Sequence, residues 1–283
     1  MLFRSRASLN MNITFIGGGN MASAIISGLT QRGWDRASLR AVEILPGARA
    51  KLEQSFGIQT HAGINAQALQ CDCIVLAIKP QQMREVATQL AQISPGAAKA
   101  LVISIAAGIR ASDLSRWLNH HQRIVRVMPN TPALVLAGVS GLYALPEVSI
   151  EDRKTAASIL SAVGETVWVE KETDIDTVTA VSGSGPAYVF YFIEALEQAG
   201  REMGLSAAAA KQLALATFTG ASKLAAQSSE DAAVLRARVT SKGGTTERAL
   251  ASMESAQVKA AIIRAVKAAE ARSRELGDEL GRG

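Results

Sequence analysis

Hydrophobic and polar positions follow two regimes along the chain. Up to about residue 170, short apolar runs alternate with mixed segments. Residues 12–17, 39–43, 58–61, 73–78, 100–106 and 123–128 read as strands, separated by helical stretches at 20–33, 46–56, 81–92 and 111–119. Apolar runs of this length, with helices between them, indicate strands buried on both faces and paired in parallel. Two further strands, near 139–144 and 166–170, flank a helix over 150–163. The pattern predicts a doubly wound α/β domain. Beyond Lys171 β-branched clusters thin out and alanine dominates, as in Ala207 to Ala210. Helices are predicted at 174–181, 186–203, 206–227, 230–239, 245–252 and 255–276. Such helices offer little large side-chain filling. The all-α part is therefore expected to need a partner chain to bury its surface.

Composition narrows this picture. With 283 residues, 48% apolar and 19% charged, the chain has room for two domains and is too ordinary for a disordered or fibrous protein. The expected division is 1–10, 11–170 and 171–283. Residues 1–10 carry Arg4 and Arg6 with no apolar stretch behind them, so they do not read as a secretory signal; they read as a disordered extension or a misassigned start. No run of about 18 uncharged apolar residues is present, so no membrane span is expected. Cys71 and Cys73 are too close for an ordinary disulfide, and with three His they make no metal site. These features predict a cytoplasmic protein without a metal. The net charge of +5 is thinly spread: residues 1–170 hold 16 Lys+Arg against 11 Asp+Glu, and residues 171–283 hold 14 of each. With 4% aromatic residues to stack bases, nucleic-acid binding is not expected.

The strongest local signal is Ile16-Gly17-Gly18-Gly19-Asn20-Met21-Ala22, a G-x-G-x-x-A turn between the first strand and first helix. Gly17 permits a tight turn, Gly19 lets the backbone approach a pyrophosphate, and Ala22 keeps the helix near the sheet. The free N–H groups at the helix start complete a dinucleotide site. Glu43, at the end of the second strand, is placed to accept a ribose 2′-hydroxyl and repel a 2′-phosphate. Arg40, Arg49 and Lys51 lie close enough in sequence to hold a 2′-phosphate instead, and a solvated surface Glu is the plain alternative. Ala77-Ile78-Lys79-Pro80 ends another core strand, where Lys79 either faces the cofactor or is a simple strand-end cation. Ala106 and Ala107 leave room for a nicotinamide ring or serve close packing.

No His among His61, His120 and His121 is placed as a general acid, and all three read as surface residues. A C=N substrate is less demanding, since an iminium nitrogen already carries its charge. Ser241-Lys242-Gly243-Gly244-Thr245-Thr246, before a helix starting near Glu247, can form a nest for a substrate carboxylate. An ordinary helix cap, with Thr246 in the capping role, is the equal alternative.

With these motifs in hand, the sequence resembles the pyrroline-5-carboxylate reductase family from about Met11 to Leu276. The resemblance rests on the Gly17–Ala22 turn, Ala77–Pro80, Ser104–Gly108, Met128–Ala133, Val181–Tyr188 and Val239–Thr246, in that order. It implies an N-terminal Rossmann-type dinucleotide-binding domain and a C-terminal all-α dimerisation domain. It also implies reduction of 1-pyrroline-5-carboxylate to L-proline with NADPH or NADH. By similarity, Ile16, Gly17, Gly18, Gly19, Asn20, Met21, Asn65, Ala77, Ile78, Lys79, Pro80, Ile105, Ala106 and Ala107 touch the cofactor. Ser241, Gly244, Thr245 and Thr246 form the carboxylate site, with the Thr246 hydroxyl near the imine nitrogen. The family implies a homodimer at least, with a ring of dimers as the larger alternative. Two departures stand out: Lys242 where many relatives have Pro, and Asp231-Ala232 where they have His-Pro. A β-hydroxyacid-type dehydrogenase would need a catalytic Lys on the first long helix of the second domain, and residues 181–198 contain none. A non-catalytic NAD(P) sensor would bind cofactor without turnover.

Overall fold

A computed structural model describes residues 11–93 and 99–282. The expectation for residues 1–10 lies outside them. Within them the alternation of strands and helices appears as an eight-stranded sheet in the order β3-β2-β1-β4-β5-β6-β7-β8. The strands are β1 (Ile13–Ile16), β2 (Leu39–Val42), β3 (Gln59–His61), β4 (Cys73–Leu76), β5 (Leu101–Ser104), β6 (Ile124–Met128), β7 (Gly138–Ala144) and β8 (Gly164–Trp168). The first six run parallel. β7 pairs with β6 antiparallel and β8 with β7 in parallel, so the last two reverse the sheet direction.

The central strands of the sheet are buried on both faces, and alternation along each strand decides which residue goes where. Ile13, Phe15, Cys73, Val75, Leu101, Ile103, Val125 and Val127 join one apolar cluster. It is roofed by α1 (Asn20–Gln31), α2 (Pro46–Phe56) and α5 (Ile150–Ser161). Ile16, Ile74, Leu76, Val102 and Ile124 join the other, under α3 (Met83–Ile93) and α4 (Ala111–Trp117). Each large apolar side chain fully buried here contributes about 1.5–3 kcal/mol. Thr14, which faces the second cluster, is tolerated because its hydroxyl donates to the Ala68 carbonyl at 2.6 Å.

Local chemistry sets the helix ends. α1 buries Ala22, Ile25, Ile26 and Leu29 and ends at Gln31, two residues earlier than expected, because Gly33 turns left-handed. α2 opens on Pro46 and closes on left-handed Gly57. Ser149 caps α5 by accepting from the Asp152 N–H. The expected helix at 174–181 is instead a short α6 (Asp174–Val178) running into a π turn over Thr179–Gly183. The Ser184 N–H closes that turn on the Thr179 carbonyl at 2.8 Å.

The chain separates into two compact units. One reaches to Ser184 and takes in Ala269 onward; the other is Gly185–Ala268. The packing boundary thus falls beyond the residue 171 expected from composition. The second unit contains α7 (Gly185–Glu202), α8 (Ala207–Gln227), α9 (Ala232–Arg238) and α10 (Thr245–Ser255). α11 (Val258–Gly281) begins in the second unit and ends in the first. Among the described residues, no helix is long and apolar enough to cross a membrane.

The expectation of three surface histidines fails for two. His120 is exposed, but His61 is half-buried and His121 is buried. The His121 ring Nε2 lies 3.0 Å from the Ala100 carbonyl, an acceptor, which places a proton on that nitrogen. Burial pushes the pKa of His121 below the ordinary value; burial and then the Arg40 charge do the same for His61. Below about pH 6.5 the unfolded chain takes up protons that these folded rings resist. Stability should therefore fall as pH drops through that value and level off below the folded pKa values. His121→Gln should remove part of the slope, at most about 1.4 kcal/mol per pH unit. Denaturant titrations between pH 7.5 and 5 check this, and an unaltered slope in the variant would refute it.

Candidate functional site

The C-terminal ends of β1, β2 and β4 meet where the strand order reverses, and a groove of ≈ 500 Å³ opens there. Ile16, Gly17, Gly18, Gly19, Glu43, Ala77, Ile78 and Lys79 all line it, as the sequence led one to expect. Val42, Ile44 and Leu45 flank Glu43 in the wall, and Gly63, Ile64, Gln82, Val86 and Gln89, which carry no motif that reveals them beforehand, complete it.

The three turn glycines do different work. Gly17 has φ +99°, and a Cβ there would sit 2.5 Å from the Ala77 carbonyl oxygen, so both conformation and closeness to β4 demand glycine. A Cβ on Gly18 would meet Leu52 at 2.6 Å. Among the described residues nothing lies within 4 Å of where a Cβ on Gly19 would stand, so no contact among them explains glycine there. The open space lies at the start of α1, which no side chain caps and whose first turn contains no acid. Uncapped N–H groups facing open space suit a pyrophosphate, and the groove residues fit a dinucleotide. This makes a sharp contrast testable. Gly17→Ala should destabilise the fold by about 1–3 kcal/mol. Gly19→Ala should leave the melting temperature nearly unchanged while raising the KM for cofactor tenfold or more. Equal effects of the two on stability would break the distinction.

Glu43 is half-buried and held by two backbone N–H groups. One carboxylate oxygen accepts the Gly18 N–H at 3.0 Å and the other the Leu45 N–H at 2.9 Å. The side chain thereby ties the end of β2 to the glycine turn. Of the nearby cations, Arg40 points to the opposite end of the strand, onto the Gln70 carbonyl and Asn12. Arg49 donates to the carbonyls of Glu43 and Ile44, and Lys51 is exposed on α2. Arg40 is therefore removed as a holder of a 2′-phosphate.

The remaining residues implied for the cofactor are placed less uniformly. Asn20 is exposed and Met21 half-buried in the first turn of α1, and Pro80 follows Lys79 in a short 3₁₀ turn. Ile105, Ala106 and Ala107 follow β5, where the Ile105 N–H donates to Leu76 of the neighbouring strand. Ala106 is buried and Ala107 exposed. None of these residues, nor Asn65, is among those that line the groove. The Asn65 side-chain oxygen accepts the Ala68 N–H at 2.8 Å, so its visible work is to close a turn.

In the second unit, Gly243 at φ +74° and Gly244 lead into α10. Gly244, not Thr246, is the N-cap residue, and no side chain caps the helix. The ordinary-cap alternative for Thr246 is thus not what the fold uses. The helix starts at Thr245, where the expected 245–252 stretch begins and two residues before Glu247. The Gly244 N–H is already given to the Ser241 carbonyl at 3.0 Å, and the Gly243 N–H to the Glu247 carboxylate at 2.7 Å. The donors left in the first turn are the N–H groups of Thr245, Thr246 and Glu247, which have no acceptor within the helix. Ser241, Lys242 and Thr245 are exposed and Thr246 half-buried.

Sequence reasoning missed Arg126. Its side chain is 4% exposed, on β6, with the Glu172 carboxylate at 3.1 Å and Asp176 at 3.9 Å. Its partners lie some fifty residues away, so no local pattern announces it.

Comparison with known proteins decides the family. Residues 172–276 match the family model described as pyrroline-5-carboxylate reductase dimerisation, and residues 12–108 that described as NADP oxidoreductase coenzyme F420-dependent. A pyrroline-5-carboxylate reductase of Pseudomonas aeruginosa is 45% identical over 95% of this chain and 98% of its own. The chain belongs to the pyrroline-5-carboxylate reductase family. The solved reductase of Coxiella burnetii superposes with a TM-score of 0.90 at 39% identity, over 94% of this chain and 98% of that one. That of Plasmodium falciparum, which holds NADP, gives 0.82 at 31%, over 95% and 98%. Membership makes the chain an NADH- or NADPH-dependent oxidoreductase of the final step of proline biosynthesis. The family model begins at 172, close to the change in composition, whereas the packing boundary lies at Ser184.

Proposed function

We propose that the chain reduces the C=N bond of 1-pyrroline-5-carboxylate to L-proline with the following division of labour. The observation that carries the reading is the pair of uncapped helix starts. One opens beside the vacant space at Gly19, the other at Thr245 behind a glycine pair. NADH or NADPH, when bound, supplies the hydride. The Gly17–Gly19 turn and the start of α1 hold the pyrophosphate by backbone N–H groups and helix polarity. Glu43 fixes the turn and meets the adenosine ribose. Lys79 lines the groove as its cation.

In the second unit the N–H groups of Thr245 and Thr246 hold the substrate carboxylate, with the Ser241 hydroxyl beside them. The Thr246 hydroxyl orients the imine nitrogen. Because a protonated imine carries its own charge, hydride addition develops no oxyanion, and positioning replaces a strong general acid. The burial of His121 supports this division, since its ring is spent on the Ala100 carbonyl. Large exposed side chains on the helices support a homodimer, with a ring of dimers as the larger assembly. The reading places the protein in the cytoplasm.

The direct test is loss of absorbance at 340 nm with NADH or NADPH and pyrroline-5-carboxylate. Cofactor binding without turnover would favour the sensor alternative instead. Cofactor choice has its own test. Glu43→Ser should shift the ratio of kcat/KM values toward NADPH by about 5–30-fold, equivalent to roughly 1–2 kcal/mol of relieved repulsion. An unchanged ratio would put Glu43 away from the ribose.

A further inference from the structure

The loop after β5, residues 105–110, is held from behind by the last turns of α11. Gly108 has φ +73°, and a Cβ there would lie 2.9 Å from Leu280 and 3.5 Å from Leu276. Leu280 packs on the apolar cluster that contains Ala106, Ile109 and Ala111. The Arg110 guanidinium pairs with Asp278 at 2.5 Å, and Gly277 leaves it room: a Cβ there would stand 3.2 Å from the guanidinium. Arg116 donates to the Gly281 carbonyl at 2.9 Å.

A second, buried line of contacts ties α11 to the far end of the same loop. The Ser273 hydroxyl donates to Asp176 at 2.7 Å, and Asp176 faces Arg126. Arg126 donates to Glu172, whose same oxygen accepts the Ala111 N–H at 2.6 Å. The loop is therefore fixed at Gly108 by packing and at Ala111 by charge. In front it is joined to the sheet through the Ile105 N–H.

We infer that the end of α11 is a positioning element for the reaction: Leu276 and Leu280 press the 105–108 loop into the place where it meets the cofactor. The inference rests on the assignment of Ile105 to Ala107 to the cofactor in the proposed function. Leu280 touches neither cofactor nor substrate. Shortening it lets the loop relax away from the ring, so that the hydride donor and acceptor spend less time at reacting distance.

The test compares Leu280→Ala, the milder Leu280→Val, and Leu280→Met in the full-length protein. NADPH oxidation is followed with unlabelled cofactor and with cofactor deuterated at the transferred position. Leu280→Ala should lower kcat about tenfold and raise the deuterium isotope effect on kcat. KM for NADPH should change less than threefold, because the pyrophosphate turn is intact. Leu280→Met, which refills the space, should restore most of the rate. If Leu280→Ala does not fold, Leu280→Val carries the test, with a kcat about threefold lower and the same rise in isotope effect. A folded variant with lower melting temperature but wild-type kcat and isotope effect would overturn the inference and leave a purely structural contact. Absence of turnover in the wild type would instead overturn the proposed function on which the inference stands.

Discussion

Sedimentation of the purified protein at micromolar concentration should show a dimer or a larger species, and no active monomer. Within Gly185–Ala268 the described residues that reach full burial are Gly200, Ala210 and Ala214, all small. Meanwhile Phe190 is 64% exposed, Tyr191 71% and Met203 78%, with Leu213, Leu224 and Val239 also open to solvent. Five helices that bury three small residues among themselves lack the apolar burial that offsets ordering the chain. On the proposed reading, a second copy related by two-fold symmetry is expected to supply the missing surface. The double variant Phe190→Asp, Tyr191→Asp would place carboxylates in that surface. Association should weaken by two orders of magnitude or more, about 3 kcal/mol, with activity lost in parallel. A stable, fully active monomer, in wild type or variant, would sink the idea.

Thr246→Ala should lower turnover about ten- to a hundredfold, in keeping with one to three kcal/mol of lost orientation. On the proposed reading the hydroxyl serves the substrate, since Gly244, and not Thr246, is the N-cap of α10. Affinity for NADPH should barely move, since the glycine turn belongs to the other unit. The pH profile should follow protonation of the imine, with no added limb from an enzyme histidine. Steady-state kinetics across pH on wild type and variant decide the matter. Full activity would remove Thr246 from the site. Complete loss with fold and cofactor affinity intact would make it a proton donor rather than a positioning group.

How much of this was legible beforehand depends on the range of the physics involved. The inner strands β1, β4, β5 and β6 announced themselves because burial on both faces leaves an apolar run, whereas the edge strand β3, Gln59–His61, is polar and partly exposed. The glycine turn was legible because its spacing is dictated by backbone geometry between adjacent elements. The start of α10 was legible as Gly-Gly-Thr-Thr, though which N–H groups remain free was not. That depends on Gly244 donating to Ser241 and Gly243 to Glu247. His121 was misjudged because a polar turn in sequence conceals a partner at Ala100, just ahead of the adjacent strand β5. Arg126 and Ser273 reach partners 46 and 97 residues away, beyond any local periodicity. Of the π turn at Thr179–Gly183, only Thr179 to Val181 fell within the expected helix, and a change of hydrogen-bond register leaves no mark on local apolar spacing.

The return of α11 also bears on how the chain comes to be made. The nucleotide-binding unit is not contiguous: it needs Ala269 onward as well as the stretch up to Ser184. During synthesis the sheet and its glycine turn leave the ribosome first, and the helical segment must follow before Leu276 and Leu280 can seat behind Gly108. At a ribosomal rate of roughly 5–20 residues per second, that interval is on the order of ten seconds. Throughout it the apolar cluster around Ala106 and Ile109 lacks its cover. A gene cut at the apparent domain border would make this interval permanent. A recombinant fragment of the first unit should therefore be built by fusing its two separated pieces through a short linker, not by stopping the chain at Ser184.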